Sequence, residues 1–439
     1  MRILGQIFLL LMLITCYSAT AEAQQSMGTM SDGKNDMSSE GSSEDLRAVV
    51  LEHLSSGTDL EPASTPNAMW MSQLHGWNFM FHGVLFVDDI QQSGPRGGDK
   101  FFSTDWAMLM ARKSLGPGQL TLRGMFSLDP ATVTERRYPE LFQIGETAFG
   151  RPIVDGQHPH DLFMEIGAFY DWKMSESVLL SIYVAPVGDP ALGPPAYPHR
   201  ASASENPIAP LGHHQQDSTH IADEVVTAGY SYRFIRAEVS GFYGREPNEN
   251  RWNIDAGPID SWAARLTLNP SRNWSGQFSL GTLKSPEALS PHEDQRRMTA
   301  SVSYNLPLHN GNWASSLIWG RTRSLLTGEK LNSYLAESTF KFLEKNAVWT
   351  RIENVDRTNL LLVGSNPLPA GFEERFLARV QAYSVGYDRD FGWIPGVSTA
   401  LGAQATLYHA PAFLNSIYGG NPTGVVMFVR FRPKGSMMH

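Results

Sequence analysis

Segments of about ten residues in which apolar and polar side chains alternate recur along most of this chain, and that recurrence limits what it can fold into. From Asp260, Trp262, Ala264, Leu266 and Leu268 take one parity and Ser261, Ala263, Arg265, Thr267 and Asn269 the other. Met298, Ala300, Val302, Tyr304 and Leu306 against Arg297, Thr299, Ser301, Ser303 and Asn305 repeat the pattern. So do Leu120, Leu122, Gly124, Phe126 and Leu128 against Gln119, Thr121, Arg123, Met125 and Ser127. A strand sends successive side chains to opposite faces, so each segment reads as a strand with one apolar and one polar or small face. Sixteen are expected, near 76–88, 101–112, 118–129, 160–172, 177–187, 221–233, 236–246, 259–269, 273–284, 296–306, 312–322, 332–343, 346–356, 375–389, 396–408 and 424–432.

Periodicity alone does not separate a soluble sandwich from a membrane barrel. Segment length and link length do. About ten residues suits a tilted membrane strand. Short turns, as at Gly116-Pro117-Gly118, Phe234-Ile235, Asn310-Gly311 and Glu344-Lys345, alternate with links of roughly ten to over thirty residues, as in an up-and-down barrel. The expected fold is therefore all-β, a closed antiparallel transmembrane β-barrel of about 16 strands, with 14 as the alternative count. Closure follows from the bilayer, where every backbone amide must be bonded within the protein. No apolar run after the first twenty-odd residues approaches the ~18 that a membrane helix needs. Trp77, Trp106, Tyr170, Trp172, Trp262, Trp274, Trp313 and Trp393 lie near expected strand ends and read as interfacial girdles.

The start of the chain reads as an export signal: Arg2, an apolar stretch from Ile3 to Ile14, and a small-x-small site at Ala21-Glu22-Ala23. Cys16, the single cysteine, resembles a lipidation site, but cleavage after Ala23 removes it and with it any thiol chemistry. The expected organisation is a signal peptide at 1–23, a disordered polar segment at 24–70 with a short helix over 45–54, a barrel at 71–433 and a tail at 434–439. The predicted location is the outer membrane. With a net charge of −9 and no basic cluster, nucleic acid is not an expected partner.

Candidate ligands concentrate in the long links. His158, His160 and Asp161 close one, and His199, His213, His214, Asp217 and His220 lie in the next; these are ligand types for zinc or copper, although their spacing matches no defined metal motif. An inward-folded, hydrogen-bonded plug is the competing reading. Met27, Met30 and Met37 offer weaker soft donors for copper in the polar segment. Ser218, His220 and Asp217 or Glu224 supply hydrolase residue types without an oxyanion-hole motif, so no catalytic residue is assigned. Arg123, Glu165, Arg233, Arg265, Arg297, Glu337, Arg351, Glu353 and Arg430 have inward parity and predict a wet or ion-paired lumen.

Gly94-Pro95-Arg96-Gly97, Gln157-His158-Pro159-His160-Asp161-Leu162-Phe163-Met164-Glu165, Gly188-Asp189-Pro190-Ala191-Leu192-Gly193-Pro194-Pro195, Asp217-Ser218-Thr219-His220-Ile221 and Gly244-Arg245-Glu246-Pro247 resemble a family of Gram-negative outer-membrane β-barrels without an assigned activity. The resemblance runs from about Ser56 to Pro433. Members often carry Met- and His-rich N-termini and are commonly encoded beside copper or heavy-metal efflux functions, which implies a metal-related role; here that tract has three Met and no His before His53. The functional expectation is a pore or plugged barrel handling copper or divalent metal ions, with outer-membrane lipid, metal ions or small solutes as partners. A barrel-embedded lipid or ester hydrolase and a non-catalytic adhesion or envelope-integrity barrel are the alternatives.

Overall fold

The computed structural model describes residues 50, 55–363 and 377–435. The export signal with Cys16, then Met27, Met30 and Met37, the expected helix 45–54 apart from Val50, and residues 436–439 lie outside the described residues. In chain order the strands are β1 (Trp70–Leu74), β2 (Trp77–Gln92), β3 (Asp99–Leu115), β4 (Gly118–Phe126), β5 (Tyr138–Ala148), β6 (Arg151–Gln157), β7 (Phe163–Lys173), β8 (Val178–Gly188), β9 (Ala222–Tyr232) and β10 (Ile235–Tyr243). They continue with β11 (Ser261–Ser271), β12 (Trp274–Leu283), β13 (Gln295–Leu308), β14 (Gly311–Ser324), β15 (Lys330–Phe342), β16 (Asn346–Arg357), β17 (Ala378–Asp390), β18 (Val397–His409) and β19 (Thr423–Pro433).

Sixteen of them, β2–β4 and β7–β19, pair antiparallel with their neighbours in chain order. β19 then pairs back onto β2, with Val425 opposite Gln91 and Phe431 opposite Leu85, and closes the ring. Each expected strand coincides with one of the sixteen. The alternation decides which way each side chain points. Leu109, Ile182, Val239, Trp262, Leu266, Leu268, Val302, Leu317 and Val385 are exposed on the outside, while Arg265, Thr267, Arg297, Thr299, Glu337 and Arg351 are buried inside. Tyr304 has the same outward parity, half-buried between the rings of Trp274 and Trp313.

Three strands were not legible as periodic segments. β1 pairs with the first residues of β2, Trp70 opposite Phe81 and Leu74 opposite Trp77, where β2 runs on past the last partner that β19 gives it. An edge that would otherwise be open is thereby bonded. β5 and β6 form a separate hairpin within the link between β4 and β7. Three expectations need correction. Arg233 does not face the lumen: β9 ends at Tyr232, and Arg233 is exposed in the turn at φ 54°. Trp106 is no girdle residue, since it shares the inward parity of Thr104 and Met108 and packs at a tilt against His199, ring centres 4.3 Å apart. The segment expected to be disordered through residue 70 is ordered and buried over 55–63, where it lies against the inner wall.

The outward placement can be tested by depth. Leu266, opposite Ala237 and Phe278, lies mid-strand, whereas Leu308 adjoins a turn. Leu266→Arg is expected to cost ~2–4 kcal/mol and Leu308→Arg ~0–1 kcal/mol, because an arginine on the lipid face costs most near the bilayer midplane. Reversible denaturant unfolding in lipid vesicles measures both, and equal costs would contradict the placement.

Candidate functional site

Among the described residues, three chain segments supply most of the lumen's filling: residues 55–65, the β4–β7 link (127–162) and the β8–β9 link (189–221), most of whose residues are buried. Apolar clusters tie them to the wall, Leu60 with Leu179 and Ile208 with Phe102, and so do ion pairs. Arg265 pairs with Asp59 of the N-terminal segment and with Glu238 on the adjacent strand at 3.0 Å. Arg123 pairs with Glu165 and also donates to the carbonyls of Ser55 and Gly57. Arg200, in the β8–β9 link, donates to Glu337 at 2.7 Å and to Asp217 at 2.6 Å, and Glu337 also receives Arg351. Further along the same link, Glu205 sits between Arg430 (2.9 Å), Arg432 (2.7 Å) and Lys341 (2.6 Å). Glycine lets the wall come close: a Cβ on Gly320 of β14 would strike the backbone carbonyl of Gln215.

Within this plug the two long links bring five imidazoles together. The ring of His213 lies 5.2 Å from that of His214, 5.1 Å from His220 and 6.2 Å from His158. His158 lies 5.6 Å from His214, and His160 lies 5.7 Å from His220. Four have Nδ1 against an oxygen that can only accept: His158 on the carbonyl of Pro159 (3.0 Å), His160 on Asp129 (2.9 Å), His213 on Asp217 (2.6 Å) and His220 on the carbonyl of Asp217 (2.8 Å). The Nδ1 proton is thereby fixed, and the lone pair falls on Nε2. Tyr197 offers its hydroxyl to His160 Nε2 at 3.3 Å. His220 Nε2 and both nitrogens of His214 are buried without a hydrogen bond. His158 Nε2 lies 3.0 Å from Glu146 Oε1, also without hydrogen-bond geometry. The ring of His214 packs where a side chain on Gly145, at φ 140°, would stand.

Not every expected ligand belongs to this group. Asp217 has both oxygens engaged, by His213 on one side and by Arg200 and the Tyr197 amide on the other. Burial pushes its carboxyl up, but Arg200 and His213 outweigh burial and hold it well below the usual range. Asp161 is tied to Arg251 at 3.1 Å. His199 stands apart on Trp106, with its Nε2 buried and unbonded. As the side chains stand, no three His, Cys, Asp or Glu groups among the described residues are placed to hold a metal ion. The hydrolase arrangement is not formed: Ser218 accepts from Arg297, and His220 Nδ1 faces a backbone carbonyl.

Other lumen residues went unremarked in the sequence. Arg200, Glu205, Tyr197 and Asp129 sit in links, where no periodicity marks a buried side chain. Met80, Met108, Met110, Met125 and Met164 form one buried cluster on the inner wall. Met80, Met108, Met110 and Met125 have the inward parity of their strands, a signal available on β4, where Met125 follows Arg123 by two; Met164 is buried at a break in the register.

No family model matches the chain, and no curated protein does. Among solved structures it is similar to OmpF of Salmonella typhi in complex with daunomycin, at 10% identity, TM-score 0.49, over 83% of this chain and 100% of that one. It is similar to an anion-selective porin from Comamonas acidovorans at 12% identity and TM-score 0.48, over 81% and 99% of the two chains. OccAB1 of Acinetobacter baumannii matches at 8% identity and TM-score 0.41, over 85% and 99%.

The buried imidazoles make the plug sensitive to acid. Burial first, and then the neighbouring His213, push His158 down from 6.5 to about 3. Burial also holds His199, His214 and His220 well below the ordinary value. A depressed histidine contributes stability that is complete above its unfolded pKa and is lost as pH falls toward its folded one. Glu61, raised by burial to about 7, works in the opposite sense, so the net profile mixes both. The expected outcome is that wild type loses stability relative to His158→Gln as pH falls from 6.5 toward 3. Amide hydrogen exchange of residues 189–221 reads this, and parallel profiles would contradict it.

Proposed function

We propose that this chain is an outer-membrane channel that is closed at rest by its own links and N-terminal segment, and that it handles metal ions through the imidazoles of the plug. A barrel of this size leaves an aqueous lumen unless something fills it, and here the filling joins ion pairs to the wall with apolar packing, as of Leu141, Phe142 and Leu211 beside Val355 and Val380. The ionic ties can exchange with water or with a passing ion.

The observation that carries the metal reading is the contact between His158 Nε2 and Glu146 Oε1. The two atoms lie 3.0 Å apart without hydrogen-bond geometry, and the other oxygen of Glu146 is paired with Arg251. A cation placed there would meet both atoms. His214, whose two nitrogens lack partners, lies next to it, and His213 completes a triangle of rings 5.2 to 6.2 Å apart. Imidazoles each ~2.0–2.1 Å from one tetrahedral ion have ring centres roughly 5 Å apart, so small rotations suffice. The carbonyl and carboxylate partners of Nδ1 supply the outer support that orients metal-binding imidazoles. Neutral rings are the binding form.

Two measurements test the proposal. Planar-bilayer recordings are expected to show little conductance for wild type and sustained conductance for Arg200→Ala with Glu205→Ala, since cutting a buried pair costs ~3–5 kcal/mol. A silent double variant that still shows the heat-dependent gel shift of a folded barrel would refute the channel. Calorimetric titration with Zn(II) and Cu(II) is expected to show sub-millimolar binding that His158→Ala with His214→Ala weakens by about tenfold or more, a loss of ~1.4 kcal/mol. Equal affinity in both proteins, or none below millimolar, would refute the metal role.

A further inference from the structure

The five-methionine cluster lies on an inner wall that carries both charged side chains and aromatic groups such as Phe86, Trp349 and Phe428, and its geometry is set by register. Met80 on β2 lies opposite Met110 on β3, His82 on β2 opposite Met108 on β3, and Met108 in turn opposite Met125 on β4. Directly opposed residues on one face of an antiparallel pair have Cβ atoms ~4.5–5.5 Å apart. Met164 joins them at the irregularity where β4 meets β7, between the pairs Met125 with Glu165 and Phe126 with Phe163. All five are buried, Met108, Met125 and Met164 completely. Val187, near the end of β8, and Ile221, the last residue of the β8–β9 link, belong to the same cluster.

Methionine is a good filler of irregular gaps, and gap filling accounts for flexible apolar side chains there. A hydrogen-bonded imidazole adds a second donor type beside the sulfurs. His82 Nε2 lies 3.0 Å from Met108 Sδ, beside Trp106 and 6.5 Å, ring to ring, from His199, whose own Nε2 is buried and unbonded. A thioether and a neutral imidazole are donors without charge. They cannot compensate a buried dication, whose desolvation cost rises with the square of its charge. They suit a soft monocation, which keeps its single charge and loses only weakly held water. The nearest wall cation, Arg123, is already matched by Glu165 at 3.0 Å.

We propose that Met108, Met125 and His82, with Met80, Met110 and Met164 around them, form a binding site for a soft monovalent d10 cation of the Cu(I) or Ag(I) class. It deepens the metal-handling reading by naming a second, softer site on the wall beside the imidazoles of the plug. His199 stands between the two groups. The wall thus offers sulfur to a reduced, soft ion, and the plug offers nitrogen and carboxylate to a harder one.

The test uses the full chain, purified in detergent and titrated with silver nitrate in chloride-free buffer and, separately, with Zn(II). Met108→Leu with Met125→Leu keeps side-chain volume, so folding is preserved; the heat-dependent gel shift checks this. Methionines elsewhere in the chain are common to both proteins and cancel in the difference. Silver is expected to bind wild type at least about tenfold more tightly than the leucine variant, a difference of ~1.4 kcal/mol. Zn(II) titrations of the two should coincide. His158→Ala with His214→Ala should keep the silver site. X-ray absorption at the silver edge should show a sulfur shell that the leucine variant loses. Equal silver affinity in wild type and the leucine variant, or loss of silver only in the histidine variant, overturns the site. Silver binding that fails while the channel conducts and Zn(II) binds leaves the broader proposal standing, so the two can fail separately.

Discussion

A bilayer core holds no water to bond an unpaired amide, and the rest of this structure depends on that. A sheet at membrane depth must close on itself, and here it does so by joining the first and last strands, β2 and β19. Closure fixes the side-chain parity of every strand, because one face must meet lipid. Leu266 and Arg265 are neighbours in sequence, yet one is exposed outside and the other buried inside. Closure of sixteen strands also creates a lumen too wide for the wall's own side chains to fill. The long links and residues 55–65 occupy that space.

What fills the lumen has to satisfy a charged wall. An arginine buried without a partner is costly, and wall acids supply only part of the compensation. Arg265 takes Glu238 from the wall and Asp59 from the N-terminal segment. Glu337 is shared between Arg351 of the wall and Arg200 of a link. Glu205 is the reverse case, a link carboxylate received by three wall cations, and they hold it well below its ordinary range even though burial acts against them. Buried ion pairs add little net stability compared with apolar packing. Their effect is positional: a link shifted along the lumen leaves several charges unmatched at once, so the pairs select one arrangement among many of similar compactness.

The same division explains what was legible in the sequence. Strands were, because lipid on one face imposes a period of two, and all sixteen ring strands coincide with periodic segments. The inward charges followed from parity, with Arg233 lost because parity continues in the sequence after Tyr232 while the strand does not. Trp106 was misplaced for a related reason: its aromatic character suggested an interface, whereas its parity pointed inward. The hairpin β5–β6 and the buried segment 55–63 left no signal, since their burial is decided by space and charge inside the ring rather than by a local pattern. The histidine group was half legible. Composition placed His158, His160, His213, His214 and His220 in neighbouring links, but only the folded plug shows which nitrogens are spent on Asp129, Asp217 and backbone carbonyls and which are left over.

Why those leftover nitrogens stay unprotonated is also a matter of the ring. His214 is held well below its ordinary pKa chiefly by burial, and then by His213, His158, Arg297 and Arg357. Arg297 and Arg357 belong to wall strands, so the cations that anchor the plug also repel protons from it. Burial acts first on His220 too, and the neighbouring His213 and His160 then lower it further. A hydrogen-bonded spacer requires its nitrogens to be matched by donors or acceptors, and His214 has neither. An imidazole kept neutral, dry and unmatched has its lone pair free, the state in which it binds a metal ion most readily. Two of the wall cations that hold the plug in place therefore add to what burial does in keeping His214 neutral.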